Sequence, residues 1–346
     1  MFGHKPTFGL VKWLKLSSHD DRRVVKLLPA SDISVRGPLA RCAEDLRVSM
    51  EIISSTPKDD GDKVDTSLTL PRSNKCKMSS FRIALIRSLP ICPTSMEIRC
   101  AVENLAVKLR AAGAEVIYLD EENGKSLPFD PYEMMRVYLT LLGCTMLSQQ
   151  VMTASDAFGM KGEELQQMIL DDAARFSEDD NSLEAVAARA PLTSYGEWKK
   201  ADARRQELRI VWQDFFTPAF CTKMDVDTSS DQYDFLICPA FARCAFPHDH
   251  SGIDFHPFWR ENGRKIEVDG KPGPYQRHVF WSALTGTCFL PSTVFPTGLG
   301  KDSRMPIGLQ VVGPELSDFK TIDFVRLLEK DLGYAFQKPT NEFGND

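Results

Sequence analysis

One stretch of the chain constrains the fold more than any other. Residues 81–86 (FRIALI) read as a strand, and Ile98, Val102, Leu105, Leu109 and Ala112 recur at three- and four-residue steps as a single helical stripe. Residues 114–119 (AEVIYL) then read as a second strand. Thr94 with Glu97 has the form of a capping box, and Gly113 supplies the stop. Strand, helix and strand at this length imply a parallel pair joined by a right-handed crossover. The unit carries no GxGxxG and no Walker lysine, so it is scaffold and not a nucleotide site.

The rest of the chain is read around that unit. Residues 1–36 show no helix start, no strand run and no polar leader, only loop and turn punctuated by Gly and Pro, so the opening looks like the middle of a fold. Gly37 and Pro38 open a predicted helix with Pro38 at its first position and Leu39, Cys42, Ala43, Leu46, Met50 and Ile53 as its apolar stripe. Residues 56–80 are polar and read as a surface loop or insertion. Residues 131–217 are mostly helical: one helix from Pro131 through Met152, two short ones in 161–190, and a long one from Tyr195 with Trp198, Ala201, Leu208, Val211, Trp212 and Phe215 on its buried face. Beyond a loop at 225–231, residues 235–238 form a short strand ending at Pro239, and 239–278 show no periodicity. Residues 292–295 and 307–313 make a second strand pair, and Ser317 caps a final helix that Gly333 ends. Residues 1–338 are read as one unit and 339–346 as a polar tail.

Composition excludes several classes of function. Lys plus Arg is 42 against 48 for Asp plus Glu, a net charge of −6, which argues against a nucleic-acid binder. The longest apolar run, 137–147, is far short of the roughly 20 residues a membrane span needs. Nine cysteines, an odd number without a CxxC pair, are too sparse for a disulfide scaffold. The opening MFGHKPTFG lacks the apolar core of a signal peptide, and a reducing, cytoplasmic setting is the default expectation.

Four constellations could carry chemistry. His248, Asp249 and His250 with His256 form a histidine-rich loop of the kind that binds zinc or iron, but the loop offers no rigid element to aim the ligands. Cys238 and Cys244 are candidate thiol nucleophiles; the run before Cys238 reads instead as a buried strand. No GxSxG elbow precedes Ser79, Ser80 or Ser251. The pairs Asp171–Asp172 and Asp179–Asp180 lie in polar contexts and read as solvated faces. From the residues alone the chain is an α/β protein without an identifiable catalytic set, and no metal or cofactor is assigned.

Several segments together resemble the amidase signature family, hydrolases of carboxylic amides. FGHKPTFGLV at 2–11 is similar to that family's G-x-K-P-T-x-G turn, and VRGPLARCAEDL at 35–46 to its GPLARSVEDL helix. YDFLICPA at 233–240 resembles YDxLLxPT, while STVFPTGL at 292–299 with MPIGLQVVGP at 305–314 resembles the closing VPxGxxxxGLPVGxQxVG hairpin. The resemblance runs from residue 2 to about 338 and is weak in 56–80 and 120–230.

The resemblance implies an incomplete amidase-signature fold, a mixed β-sheet flanked by helices, and a hydrolase acting on carbon–nitrogen bonds of carboxylic amides. In the family a nucleophilic serine, a relay serine and a base lysine all precede the Lys-Pro-Thr turn. Here only Met1 to His4 precede Lys5, so no residue inherits those roles and Lys5, Lys12 and Lys15 are not promoted to them. Losing the nucleophile alone costs a serine hydrolase about a millionfold in turnover, so the chain alone is expected to be inactive. Its part in the site would be to line the pocket for a small-molecule amide, with Phe241, Phe246 and Trp281 as substrate-binding candidates. Family members act on fatty-acid amides, small amides, peptide amides and tRNA-linked precursors. Strands left without neighbours would expose sheet edges and promote self-association. The alternative reading is a non-catalytic binding or regulatory protein that keeps the scaffold; a third is a metal-dependent hydrolase built on His248, His250 and His256.

Overall fold

The computed structural model describes residues 1–11, 33–54, 70–119, 125–157, 162–218, 232–248 and 265–338. Its elements in chain order are β1 (Phe2–Lys5), β2 (Leu39–Ala40), α1 (Ala43–Ser54), β3 (Arg82–Leu85), α2 (Met96–Ala111), β4 (Glu115–Tyr118), α3 (Pro131–Ala157), α4 (Gly162–Ala173), α5 (Leu183–Arg189), α6 (Tyr195–Phe215), β5 (Phe235–Pro239), β6 (Lys265–Val268), β7 (Lys271–Pro274), α7 (Phe280–Gly286), β8 (Ser292–Leu299), β9 (Pro306–Val312) and α8 (Asp318–Leu332).

Seven strands form one mixed sheet in the order β2-β1-β8-β9-β5-β3-β4. β5, β3 and β4 run parallel; β9, β8, β1 and β2 continue antiparallel from β5. The crossover through α2 between β3 and β4 is the one the sequence predicts, and both strands are apolar enough for burial on two faces. Alternation sorts the residues between two cores. Ile83, Leu85, Phe235, Ile237, Leu309 and Val311 pack against α1, α2 and α8, whereas Ala84, Ile86, Leu236, Cys238 and Val312 face the helices of the other layer. The mixed sheet flanked by helices is thus a three-layer structure, with Trp212 and Trp281 among the largest side chains wholly buried in it.

Three local expectations fail for long-range reasons. Residues 2–5 form a strand, β1, paired to β8 with His4 opposite Thr293. Nothing in the sequence FGHK marks a strand; the partner 289 residues away defines it. The predicted helix at 38 begins at Ala43, because Leu39 and Ala40 are drawn into the sheet as edge strand β2. Gly37 makes that possible, since a Cβ there would sit 1.8 Å from the His4 carbonyl oxygen. The stretch 239–278 also contains a hairpin, β6–β7, whose turn residues Asp269 and Gly270 both have positive φ, 49° and 78°. That is the geometry of a two-residue type I′ turn, and the Asp-Gly pair was its signal in the sequence.

The capping of α2 is a fourth correction. Thr94 donates to the Arg87 carbonyl oxygen, and Ser95, at the N-cap, makes no side-chain capping bond. The cap comes from the hairpin turn. Both carboxylate oxygens of Asp269 accept from the Met96 amide, at 3.1 and 3.0 Å, and Oδ2 also accepts from Arg99 at 2.8 Å. A carboxylate at a helix N-terminus satisfies an orphan donor and complements the helix dipole. Glu97 looks elsewhere too, accepting from the Asp302 and Ser303 amides of the β8–β9 turn at 2.8 and 2.9 Å. These amides hold its carboxyl down at about 2, against an opposing push from burial.

The described part of 56–80 is irregular, with Leu70 and Met78 buried in the α1–α2–α8 layer; 55–69 and the tail 339–346 lie outside the described residues, as does the loop at 225–231. Asp172, expected on a solvated face, is buried and pairs with Arg175 at 3.0 Å.

A buried polar seam joins the two ends of the described chain. His4 Nε2 lies 3.0 Å from Asp318 Oδ1 and Nδ1 lies 2.9 Å from Thr293 Oγ1, which touches Thr321 Oγ1 at 2.9 Å. Thr7 donates its amide to Asp318 Oδ1 at 2.8 Å and its hydroxyl to Oδ2 at 2.6 Å. Burial pushes the Asp318 carboxyl up, but the bonds from His4 and Thr7 outweigh it and leave it below the usual carboxylate value.

Removing one member of a buried, hydrogen-bonded pair strands its partners. Asp318→Ala is therefore expected to cost about 3–5 kcal/mol of stability, read as a drop in the urea midpoint. A change within about 0.5 kcal/mol, the range of an ordinary surface substitution, would show the seam to be dispensable. The folded carboxyl lies below its unfolded value, so its contribution is complete above the unfolded pKa and disappears as pH falls through the folded one. The difference between wild type and variant is expected to narrow in acid.

Candidate functional site

The parallel strands β3 and β5 end side by side, and three connecting segments, the last of them a 3-10 helix, meet beyond their carboxyl ends. These are 87–95 after β3, 240–248 after β5, and 275–279 after β7. Ligands of open α/β sheets bind in such crevices, because the loops there are free of the sheet's packing demands. The first turn of α2 fixes all three. The Ser95 amide donates to the Ala242 carbonyl oxygen at 2.8 Å, Asp269 caps the helix, and Cys244 Sγ lies 3.4 Å from Glu97 Oε2.

Phe241 and Phe246 stack in this crevice with ring centroids 6.4 Å apart. Phe241 also lies 5.4 Å from the His278 ring, and Phe246 meets Tyr275 edge-on at 6.4 Å. The Arg243 guanidinium covers Phe246 at 5.7 Å. Trp281 is not with them. It is wholly buried at the second position of α7, edge-on to Phe280, and its carbonyl oxygen accepts from the Gln310 side-chain amide at 2.9 Å. It packs the core beneath the crevice, while the two phenylalanines are half-buried at its surface.

A pair that the sequence did not suggest sits at the base of the crevice: Cys92 Sγ lies 3.9 Å from His278 Nδ1. Burial pushes the Cys92 thiol up to about 12. Burial, together with the positive charges of Arg243 and Arg277, pushes His278 down to about 4. At neutral pH the pair is a thiol beside an uncharged imidazole, not a thiolate beside an imidazolium, and it is no activated nucleophile. Cys238 is fully buried, its thiol raised by desolvation, and donates nothing to the crevice. Cys244 is raised as well, by burial and by the Glu97 carboxylate. Burial likewise lowers the Lys5 amine to about 8, and its described bond is to the Pro6 carbonyl oxygen.

Beside the crevice opens a cavity of about 180 Å³. Tyr132 and Arg136 reach it from α3, Asn181 and Glu184 from the start of α5, and Ile91 and Arg277 from the crevice itself. Ile91 and Arg277 are the chain neighbours of Cys92 and His278, so the cavity lies next to the crevice. Arg136 stands in an otherwise apolar helical run, the one sign in the sequence that this position does something other than pack.

Of the histidine loop, His248 is exposed and His250 and His256 lie outside the described residues, as do Lys12, Lys15 and Ser251. Among the described residues no three His, Cys, Asp or Glu side chains come together as a metal site would require. Also among them, no helix is long and apolar enough to cross a membrane.

The state of the Cys92–His278 pair can be read chemically. Iodoacetamide at neutral pH is expected to modify the exposed Cys76 and Cys100 and to leave Cys92 intact in the folded protein, as followed by peptide mass mapping. Preferential alkylation of Cys92 would instead reveal an activated dyad.

The sequence and the fold have counterparts among known proteins. The amidase family model matches residues 1–322. A glutamyl-tRNA(Gln) amidotransferase subunit of Deinococcus radiodurans is 23% identical over 338 residues, which make up 95% of this chain and 60% of that protein. A crystal structure of an amidase shares the fold with a TM-score of 0.57 at 19% identity, over 95% of this chain and 58% of that one. Fatty acid amide hydrolase does so with a TM-score of 0.54 at 17% identity, over 97% of this chain and 53% of that one. The chain thus spans little more than half the length of these relatives, and with the family model covering residues 1–322 it belongs to the amidase family.

Proposed function

We propose that this chain forms the substrate-receiving wall of an amidase-type hydrolase acting on the carbon–nitrogen bond of a carboxylic amide, and that by itself it does not catalyse the reaction. The observation that carries the proposal is the chemistry of the crevice at the ends of β3 and β5. It has aromatic walls in Phe241 and Phe246, an adjoining cavity and the Arg243 guanidinium over Phe246, but the thiol–imidazole pair of Cys92 and His278 is uncharged. Amide hydrolysis needs an activated nucleophile and a base within hydrogen-bond reach of each other. The resemblance to the family supports this reading, since the serines and lysine of its catalytic set fall before the Lys-Pro-Thr turn, the motif that residues 5–7 resemble here.

The substrate side is drawn from Phe241 and Phe246, which would flank the amide. Trp281 would act beneath them as support. The name of the Deinococcus relative, one component of an amidotransferase, makes assembly with other chains a further part of the proposal. So does self-association at the sheet edge, where Leu39 of β2 is 74% exposed.

The purified chain is expected to give no turnover above background with an anilide, a fatty-acid amide, glutamine or a short aliphatic amide. Turnover that is abolished by Cys92→Ala would overturn the proposal, because it would make the neutral pair a working nucleophile. Phe241→Ala is expected to weaken the binding of an aromatic amide roughly tenfold, the effect of losing about 1.4 kcal/mol of contact. An unchanged affinity, measured calorimetrically, would remove Phe241 from the site.

A further inference from the structure

The cavity of about 180 Å³ beside the crevice is too small for a drug-sized ligand and is walled by charge rather than by hydrocarbon alone. Two guanidinium groups reach it, Arg136 and Arg277, against one carboxylate, Glu184. Neither arginine is tightly committed. Arg277 meets Glu184 at 3.2 Å, and Arg136 meets Asp130 at 3.5 Å, both longer than the 2.7–2.9 Å typical of a charge-assisted bond. All four side chains keep substantial contact with solvent, so these pairs contribute little and can be exchanged for a better partner. A guanidinium presents a rigid fork of donors that matches a carboxylate, and most of each fork is left for one.

A second observation points the same way. The charge around the cavity is locally positive inside a chain whose net charge is −6: Arg136 and Arg277 line the cavity, and the Arg243 guanidinium lies 5.7 Å from the Phe246 ring in the crevice beside it. Tyr132 and Asn181 add polar groups at the cavity wall, and Ile91 gives it an apolar side facing Cys92.

We infer that Arg136 and Arg277 bind the carboxylate of a small acidic molecule in this cavity, so that the amide presented to the adjoining crevice belongs to an anionic substrate. The amide half of this statement rests on the amidase reading; the carboxylate half stands on the cavity alone. Glu184 is the internal competitor. It occupies Arg277 in the free protein and yields when a ligand carboxylate enters.

Calorimetric titration of the full chain separates the two halves. Three probes of similar size serve: glutaramate, which carries both carboxylate and amide; glutarate, which carries carboxylates only; and butyramide, which carries only the amide. Glutaramate is expected to bind at least tenfold more tightly than butyramide, with an affinity that falls as salt rises. Arg136→Gln with Arg277→Gln is expected to abolish that advantage while leaving butyramide unaffected. Glu184→Gln removes the competitor and is expected to tighten glutaramate several-fold, a gain that a damaged fold could not produce. Binding of glutarate without binding of butyramide would uphold the acid site while counting against the amidase reading. Equal affinities for glutaramate and butyramide, or binding of neither glutaramate nor glutarate, would overturn the inference. So would Glu184→Gln without a gain.

Discussion

The carboxylate of Asp318 is the constraint on which the architecture turns. It lies at the start of the last helix, fully buried, and its two oxygens take hydrogen from His4 and from both the amide and the hydroxyl of Thr7. A charge in such a place is tolerable only when every lone pair is met. Here the meeting fixes the first strand of the chain against its final helix and, through Thr293, against the sheet between them. The Lys-Pro-Thr turn owes its place to this contact: Thr7 also accepts from the Leu316 amide, so the turn is latched to the loop that leads into α8. The motif is a structural latch in this chain, and its lysine makes no part of the seam's hydrogen bonding.

Much of the fold could be read from local pattern. The strand–helix–strand unit at 81–119 declares itself because a 3.6-residue stripe and two apolar runs agree with each other and with the Gly113 stop, where φ is 89°. The helices of 131–217 and the β8–β9 hairpin were legible for the same reason. What escaped was whatever a distant partner defines. β1 has four residues, two of them Gly and His, and becomes a strand only because β8 pairs with it. The cap of α2 escaped in the same way. Thr94 and Glu97 have the right spacing for a box, but a carboxylate from 173 residues away reaches the helix first, freeing Glu97 to hold another loop. Local competition between capping groups cannot be judged when the winner comes from another part of the chain.

The site divides along the same line. Phe241 and Phe246, the proposed pocket walls, drew notice in the sequence because they follow a strand end in an irregular loop, and in the structure both are half-buried. Trp281 looked equivalent but sits in a helix, and its neighbours Phe280 and Gln310 claim it for the core. Arg136 and Arg277 are 141 positions apart and belong to different elements; only the folded chain makes them neighbours across one cavity. Their convergence depends on the first turn of α2, which positions the β6–β7 hairpin and with it the segment that carries Arg277.

Global and local charge therefore tell different stories in this protein. A net charge of −6 speaks against polyanionic partners, since long-range attraction scales with the whole molecule. Recognition of one small carboxylate depends on a few ångströms, where screening is weak and geometry rules. Burial first, and then Arg243 and Arg277, suppress the protonated form of His278, while Arg277 draws the Cys92 thiol down against a larger upward push from burial. The neutral state of the thiol is thus the work of desolvation and not of the arginines, whose charge by itself would favour a thiolate.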